Sequence, residues 1–145
     1  MRVAFWTAFG IYMRQHVSAL GTRQKWVNYN TGVKGIYFRL EAEARFARVS
    51  ITMEHQDAGI RALFFDQWAE LKNYLESESA QVWRWESEYT QEDGRTVARI
   101  YVEQSLLSLF SKTDWPAIFE FMSGALVPLD NVWADCQGVF QDLAE

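Results

Sequence analysis

The hydrophobic positions of this chain follow two different periods. Ile36, Phe38 and Leu40 alternate with Tyr37, Arg39 and Glu41. After the polar break Glu41-Ala42-Glu43-Ala44, Ala47, Val49, Ile51 and Met53 alternate with Arg48, Ser50, Thr52 and Glu54. A period of two in adjacent runs predicts a hairpin with one buried face. Ile60, Leu63, Phe64, Gln67, Trp68, Leu71 and Leu75 then recur at helical spacing, which predicts one amphipathic helix running to about Leu75. Asp57 stands where its N-cap belongs.

The flanking segments repeat the theme. Residues 3–19 predict a helix whose stripe is Trp6, Phe9, Gly10, Met13 and Val17, with Gly21 as its stop. Residues 21–35 are rich in turn formers and predict a loop with a short extended piece at Lys25-Trp26-Val27. A second hairpin is predicted from Trp83 and Trp85 alternating with Arg84 and Glu86, an Asp93-Gly94 turn, and Ala98, Ile100 and Val102 alternating with Arg99, Tyr101 and Glu103. Residues 106–110 fit a strand extension or a short helix. Thr113-Asp114-Trp115-Pro116 predicts a capped helix start. Pro128 is expected to break or kink that helix, and Asp130 to cap a final one carrying Val132, Trp133, Cys136, Val139, Phe140 and Leu143.

The expected fold class is α+β: a mainly antiparallel sheet of about four strands in two hairpins, helices on one face, in the order α-β-β-α-β-β-α-α. Hairpin plus helix occurs twice, at 35–75 and 82–126, which suggests a weak duplication. The 145 residues fit a single domain, 1–145, with no linker or low-complexity tract.

Composition adds three constraints. Aromatics make up 16% of the chain, so a Trp-rich core is the plain expectation. One cysteine excludes an internal disulfide framework and a zinc knuckle, and points to a cytoplasmic address. No signal peptide and no run of transmembrane length is expected, so no membrane partner is either. The net charge of −5 argues against bulk nucleic-acid binding, but it hides an asymmetry. Residues 1–40 carry Arg2, Arg14, Arg23, Lys25, Lys34 and Arg39 and no acid, while the rest holds eight basic residues against nineteen acids.

Several runs carry a resemblance. They are Trp26-Val27-Asn28-Tyr29-Asn30-Thr31-Gly32, Gly35-Ile36-Tyr37-Phe38-Arg39, His55-Gln56-Asp57-Ala58-Gly59-Ile60 with Phe64-Phe65-Asp66-Gln67, Arg99-Ile100-Tyr101-Val102-Glu103, and Asp114-Trp115-Pro116-Ala117-Ile118. Across nearly its whole length the chain resembles an uncharacterised bacterial family, domain of unknown function 4268, and is expected to be a standalone member. Other members follow a nuclease-like N-terminal domain. The resemblance thus implies a link to nucleic-acid or defence biology, and it transfers no site residue.

Two candidate surfaces follow from the residues. Arg23, Lys25, Trp26, Tyr29 and Lys34 interleave cations with rings, as a single-strand nucleic-acid binder requires; the plainer account is a loop with Trp26 in the core. The outer sheet face should present Tyr37, Arg39, Arg48, Thr52, Arg84, Glu86, Arg99, Tyr101 and Glu103. Arg and Tyr are enriched at binding hot spots, although such charges also pair across strands on a solvated face. Glu54-His55-Gln56-Asp57 is the densest polar group and suggests a divalent-metal site for phosphodiester hydrolysis, but no lysine stands two residues after Glu54 and Asp57 is explained as a cap. Cys136 on an apolar stripe is expected to be a buried thiol, and His16 to sit at the end of the first helix. No cofactor is expected. The leading expectation is a non-enzymatic binding or interaction module that self-associates or takes an unknown protein partner. The alternative is a nucleic-acid-binding accessory domain, and a metal-dependent hydrolase or nuclease comes third.

Overall fold

A computed structural model describes residues 1–21 and 23–144. The elements are α1 (Arg2–Met13), β1 (Ile36–Ala42), β2 (Phe46–Met53), α2 (Ala58–Glu70), α3 (Lys72–Ser79), β3 (Arg84–Thr90), β4 (Thr96–Ser105), a 3-10 turn at Lys112–Asp114, and α4 (Trp115–Leu143). The fold is α+β, with an antiparallel sheet in the order β1-β2-β4-β3. The two hairpins meet through their second strands, so the sheet reads edge, centre, centre, edge in both directions.

The alternation places the strands as expected. Ile36 and Phe38, Val49 and Ile51, and Ile100 and Val102 face inward and are buried. Helices α2 and α4 pack on this face, and α1 packs on α4. Trp68 and Trp133 stack at 5.9 Å in the middle of the core, with Phe38 and Phe140 against them. Asp57 caps α2 as predicted, its Oδ1 accepting from Gly59 N at 2.7 Å and Ile60 N at 3.2 Å. At Gly35, φ is +91° and a Cβ would lie 3.0 Å from that of His55, so only glycine fits the entry to β1.

Four expectations about the helices are corrected, and the order becomes α-β-β-α-α-β-β-α. α1 stops at Met13, and Val17 is exposed. The chain turns there because Ser18 and Ala19 hydrogen-bond to Asp130 instead of extending the helix. The second helix splits at Leu71, whose N–H turns back to Trp68 O at 2.9 Å. Pro128 lies inside one 29-residue helix and does not end it. An interior proline costs about 3 kcal/mol, but Leu126, Leu129, Val132 and Trp133 are all fully buried by keeping the helix intact, each worth about 1.5–3 kcal/mol. Finally, Asp114 makes no side-chain cap to α4, and its carboxylate accepts from Ser108 N at 2.9 Å. Residues 106–110 form neither strand nor helix; Leu106 leaves β4 with a left-handed φ of 65°.

Candidate functional site

Loop 23–35 is fixed from below by one buried carboxylate. Asp130, expected to cap a helix, lies inside α4 and is buried. Its Oδ1 accepts from Ser18 Oγ at 2.7 Å and from Tyr29 OH at 2.5 Å, and its Oδ2 accepts from Ala19 N at 2.7 Å. Burial, and then the hydrogen bond to Asp130, push the Tyr29 hydroxyl pKa well above its ordinary value. Trp133 Nε1 donates to Thr31 O at 3.1 Å, adding a second tie between α4 and the loop.

This anchoring decides the fate of the interleaved rings. Trp26 is 5% exposed and Tyr29 6%, and both belong to the core. Each ring is largely buried, with Trp26 bordering one pocket and Tyr29 another. Of the cations, Arg23 and Lys25 line a pocket of about 410 Å³ together with Arg14 and His16, and no carboxylate among the described residues lines it. Lys34 is exposed on the turn before β1 and does not line that pocket. Arg14, just past the end of α1, was not among the expected residues and lines the same pocket as Arg23 and Lys25. His16 lies beyond the end of α1, and its Nε2 is buried with no hydrogen-bond partner among the described residues.

The outer sheet face assembles as predicted, in rows across the strands. One row is Arg39, Ser50, Tyr101 and Arg84; the next is Tyr37, Thr52, Arg99 and Glu86. Arg48 donates to Glu41 at 2.8 Å and to Glu103 at 2.6 Å, Arg99 to Glu86 at 2.6 Å, and Arg39 to Glu54 at 2.8 Å. Arg48, Arg84 and Arg99 all lie over the Tyr101 ring, the last at 4.5 Å. At the centre Thr52 is 6% exposed and Tyr101, covered by these guanidiniums, 8%. The expectation of a solvated face therefore fails at the centre of the sheet and holds at its rim. Between these side chains lies a groove of about 650 Å³ with Ser50 and Thr52 on its lining.

The polar group before α2 is structural in its geometry. Burial disfavours a charged Glu54, but Arg39 and the Thr52 hydroxyl, 2.6 Å away, outweigh it and hold the carboxyl below its usual pKa. Asp57 is engaged with the helix terminus, and His55 Nδ1 accepts from Asp57 N at 3.0 Å. These groups do not converge, and the described residues contain no cluster of three or more candidate metal ligands. Cys136 is buried, and burial raises its thiol pKa to about 12, the opposite of what a nucleophile needs. No helix among the described residues is long and apolar enough to cross a membrane.

Comparison with curated proteins and with solved structures returned no match. The family described as "Domain of unknown function (DUF4268)" matches residues 1–137, and on that coverage the chain belongs to this family.

Proposed function

We propose that the protein is a non-enzymatic interaction module that self-associates through its outer sheet face. The observation that carries this is the Arg–Tyr–Glu lattice on that face. Arg39, Arg48, Arg84 and Arg99 are balanced by Glu41, Glu54, Glu86 and Glu103, so a second copy meets no net repulsion. An equal mixture of both signs is self-complementary under a two-fold axis, the commonest symmetry of homo-oligomers. The lattice is also held in place before any partner arrives, by ion pairs and by stacking on Tyr37, Tyr89 and Tyr101. Pre-ordered side chains lose less entropy on association. Tyr and Arg are the residue types that most often carry interface energy.

The test is light scattering and sedimentation of the wild type beside Tyr101→Ala and Arg84→Glu. Self-association in the wild type that both substitutions weaken supports the proposal. A wild type that stays monomeric at about 100 μM, well above the micromolar affinity of a weak complex, sinks it.

A further inference from the structure

β1 is an edge strand, and its hydrogen-bond phase leaves an open slot. Glu54 N donates to Gly35 O and Glu43 N to Phe46 O, so the odd-numbered residues of this stretch face β2. The N–H and C=O groups of Ile36, Phe38, Leu40 and Ala42 therefore point away from the sheet. The ends of this edge are served within the chain. Ile36 N donates to Val33 O at 3.2 Å, Ile36 O accepts from Thr31 Oγ1 at 2.8 Å, and Ala42 O accepts from Arg2 Nη1 at 3.3 Å. Among the described residues, the outward groups of Phe38 and Leu40 have no such partner. The Phe38 ring is buried in the core, while its outward N–H and C=O lie along a groove, where a partner strand can satisfy them.

This groove has a volume of about 380 Å³. One wall is β1 from Tyr37 to Leu40; the other is loop residues Val27, Asn28 and Tyr29, with Trp6 beside them. The loop wall is rigid because Tyr29 is tied to Asp130 and packs on the Phe38 ring at 4.8 Å. The opposite edge of the sheet is different: β3 is broken by a bulge between Glu86 and Tyr89, a device that discourages edge pairing. β1 has no bulge, and its pairing with β2 is in register throughout.

We infer that this groove receives an extended acidic peptide, which adds to the sheet by pairing with Phe38 and Leu40. Four outward backbone groups match the alternate residues of one short strand, the mode known as β-augmentation. With the peptide antiparallel to β1, side chains of the pairing residues fall on the inner side of the sheet, so they are small and apolar. The residue between them points to the outer face and is polar. The acidic character follows from the neighbouring pocket. It shares Val27 and Asn28 with the groove and presents Arg14, Arg23 and Lys25 with no carboxylate among the described residues. None of these three cations forms an ion pair among the described residues. Chain leaving the groove past Asn28 enters that field, which favours aspartate and glutamate. The groove borders the outer face at Tyr37 and Arg39, but its pairing groups are the edge-strand backbone of Phe38 and Leu40, which the proposed self-association does not use.

The probe is a fluorescein-labelled peptide of alternating valine and threonine with an aspartate-rich tail, made with the tail at either end and titrated into the full chain. At least one of the two should bind, and changing its aspartates to asparagine should weaken it about tenfold, the effect of losing one good charge-assisted contact. N-methylation of the alternate residues that pair with β1 should weaken binding about tenfold or more, whereas N-methylation in the other phase should change it less than about twofold. Bound peptide should slow amide exchange at Phe38 and Leu40. Arg23→Glu with Lys25→Glu, both exposed, should abolish the preference for aspartate while leaving the fold intact. Failure of both peptides to bind overturns the inference, as does equal loss from the two methylation phases. Protection of Phe38 and Leu40 in concentrated protein without peptide would assign the groove to a second copy and overturn the peptide.

Discussion

Tyr29 donates to Asp130 across 2.5 Å, joining a loop to the middle of a helix 101 positions away. This one contact turns a loop of turn-forming residues into a fixed wall. It holds Tyr29 in the core, and it positions Val27 and Asn28 opposite the free edge of β1.

Tyr29→Phe should therefore lower stability by about 1.5–3 kcal/mol, the range for a hydrogen bond to a charged group. Denaturant unfolding measures it. The alkaline limb should change as well. The folded pKa of Tyr29 lies above its ordinary 10.0, so its contribution is fully present below pH 10 and is lost as pH rises further. The phenylalanine variant should lose part of that alkaline dependence; an unchanged limb would mean that the hydroxyl is not buried against the carboxylate.

Trp26→Ala should destabilise by about 3–5 kcal/mol, as removal of a buried aromatic does. The wild type should show no salt-sensitive oligonucleotide binding in fluorescence polarisation at about 150 mM salt, where the Debye length is about 8 Å. Micromolar binding that weakens with salt and with Arg23→Ala and Lys25→Ala would instead make nucleic acid the partner.

Glu54 supplies an acid-side test. Its folded pKa is below its ordinary value of 4.5, so it stabilises above that pH, and the contribution disappears as pH falls through the lower folded value. Glu54→Gln should be less stable than wild type at neutral pH, and the two should converge on acidification. Parallel pH curves would show that the Arg39 and Thr52 contacts contribute nothing net.

Ile51 sits at the centre of the inner face, paired with Phe38 on one side and Ile100 on the other. Ile51→Ala should cost about 2–5 kcal/mol in denaturant unfolding. A loss under about 1 kcal/mol would be incompatible with this strand register.

The two hairpins, the inward and outward faces, the Asp57 cap and the burial of Cys136 were all legible in the sequence. Each depends on a period or on a contact within a few residues, and the alternation of Val49, Ile51 and Met53 with Arg48, Ser50 and Thr52 admits only one amphipathic strand. The tertiary structure alone decided where α1 stops, why α4 passes through Pro128, and what Asp130 does. Ser18, Tyr29 and Asp130 look like a residue of the first helix, an aromatic ligand contact and a helix cap when seen locally. Their roles change because a buried carboxylate must collect donors wherever the fold brings them, and no local pattern records that requirement. The same holds for the β1 slot. Alternation shows that Phe38 and Leu40 point inward, but only the strand order and the loop packed alongside decide that their backbone groups face an open groove.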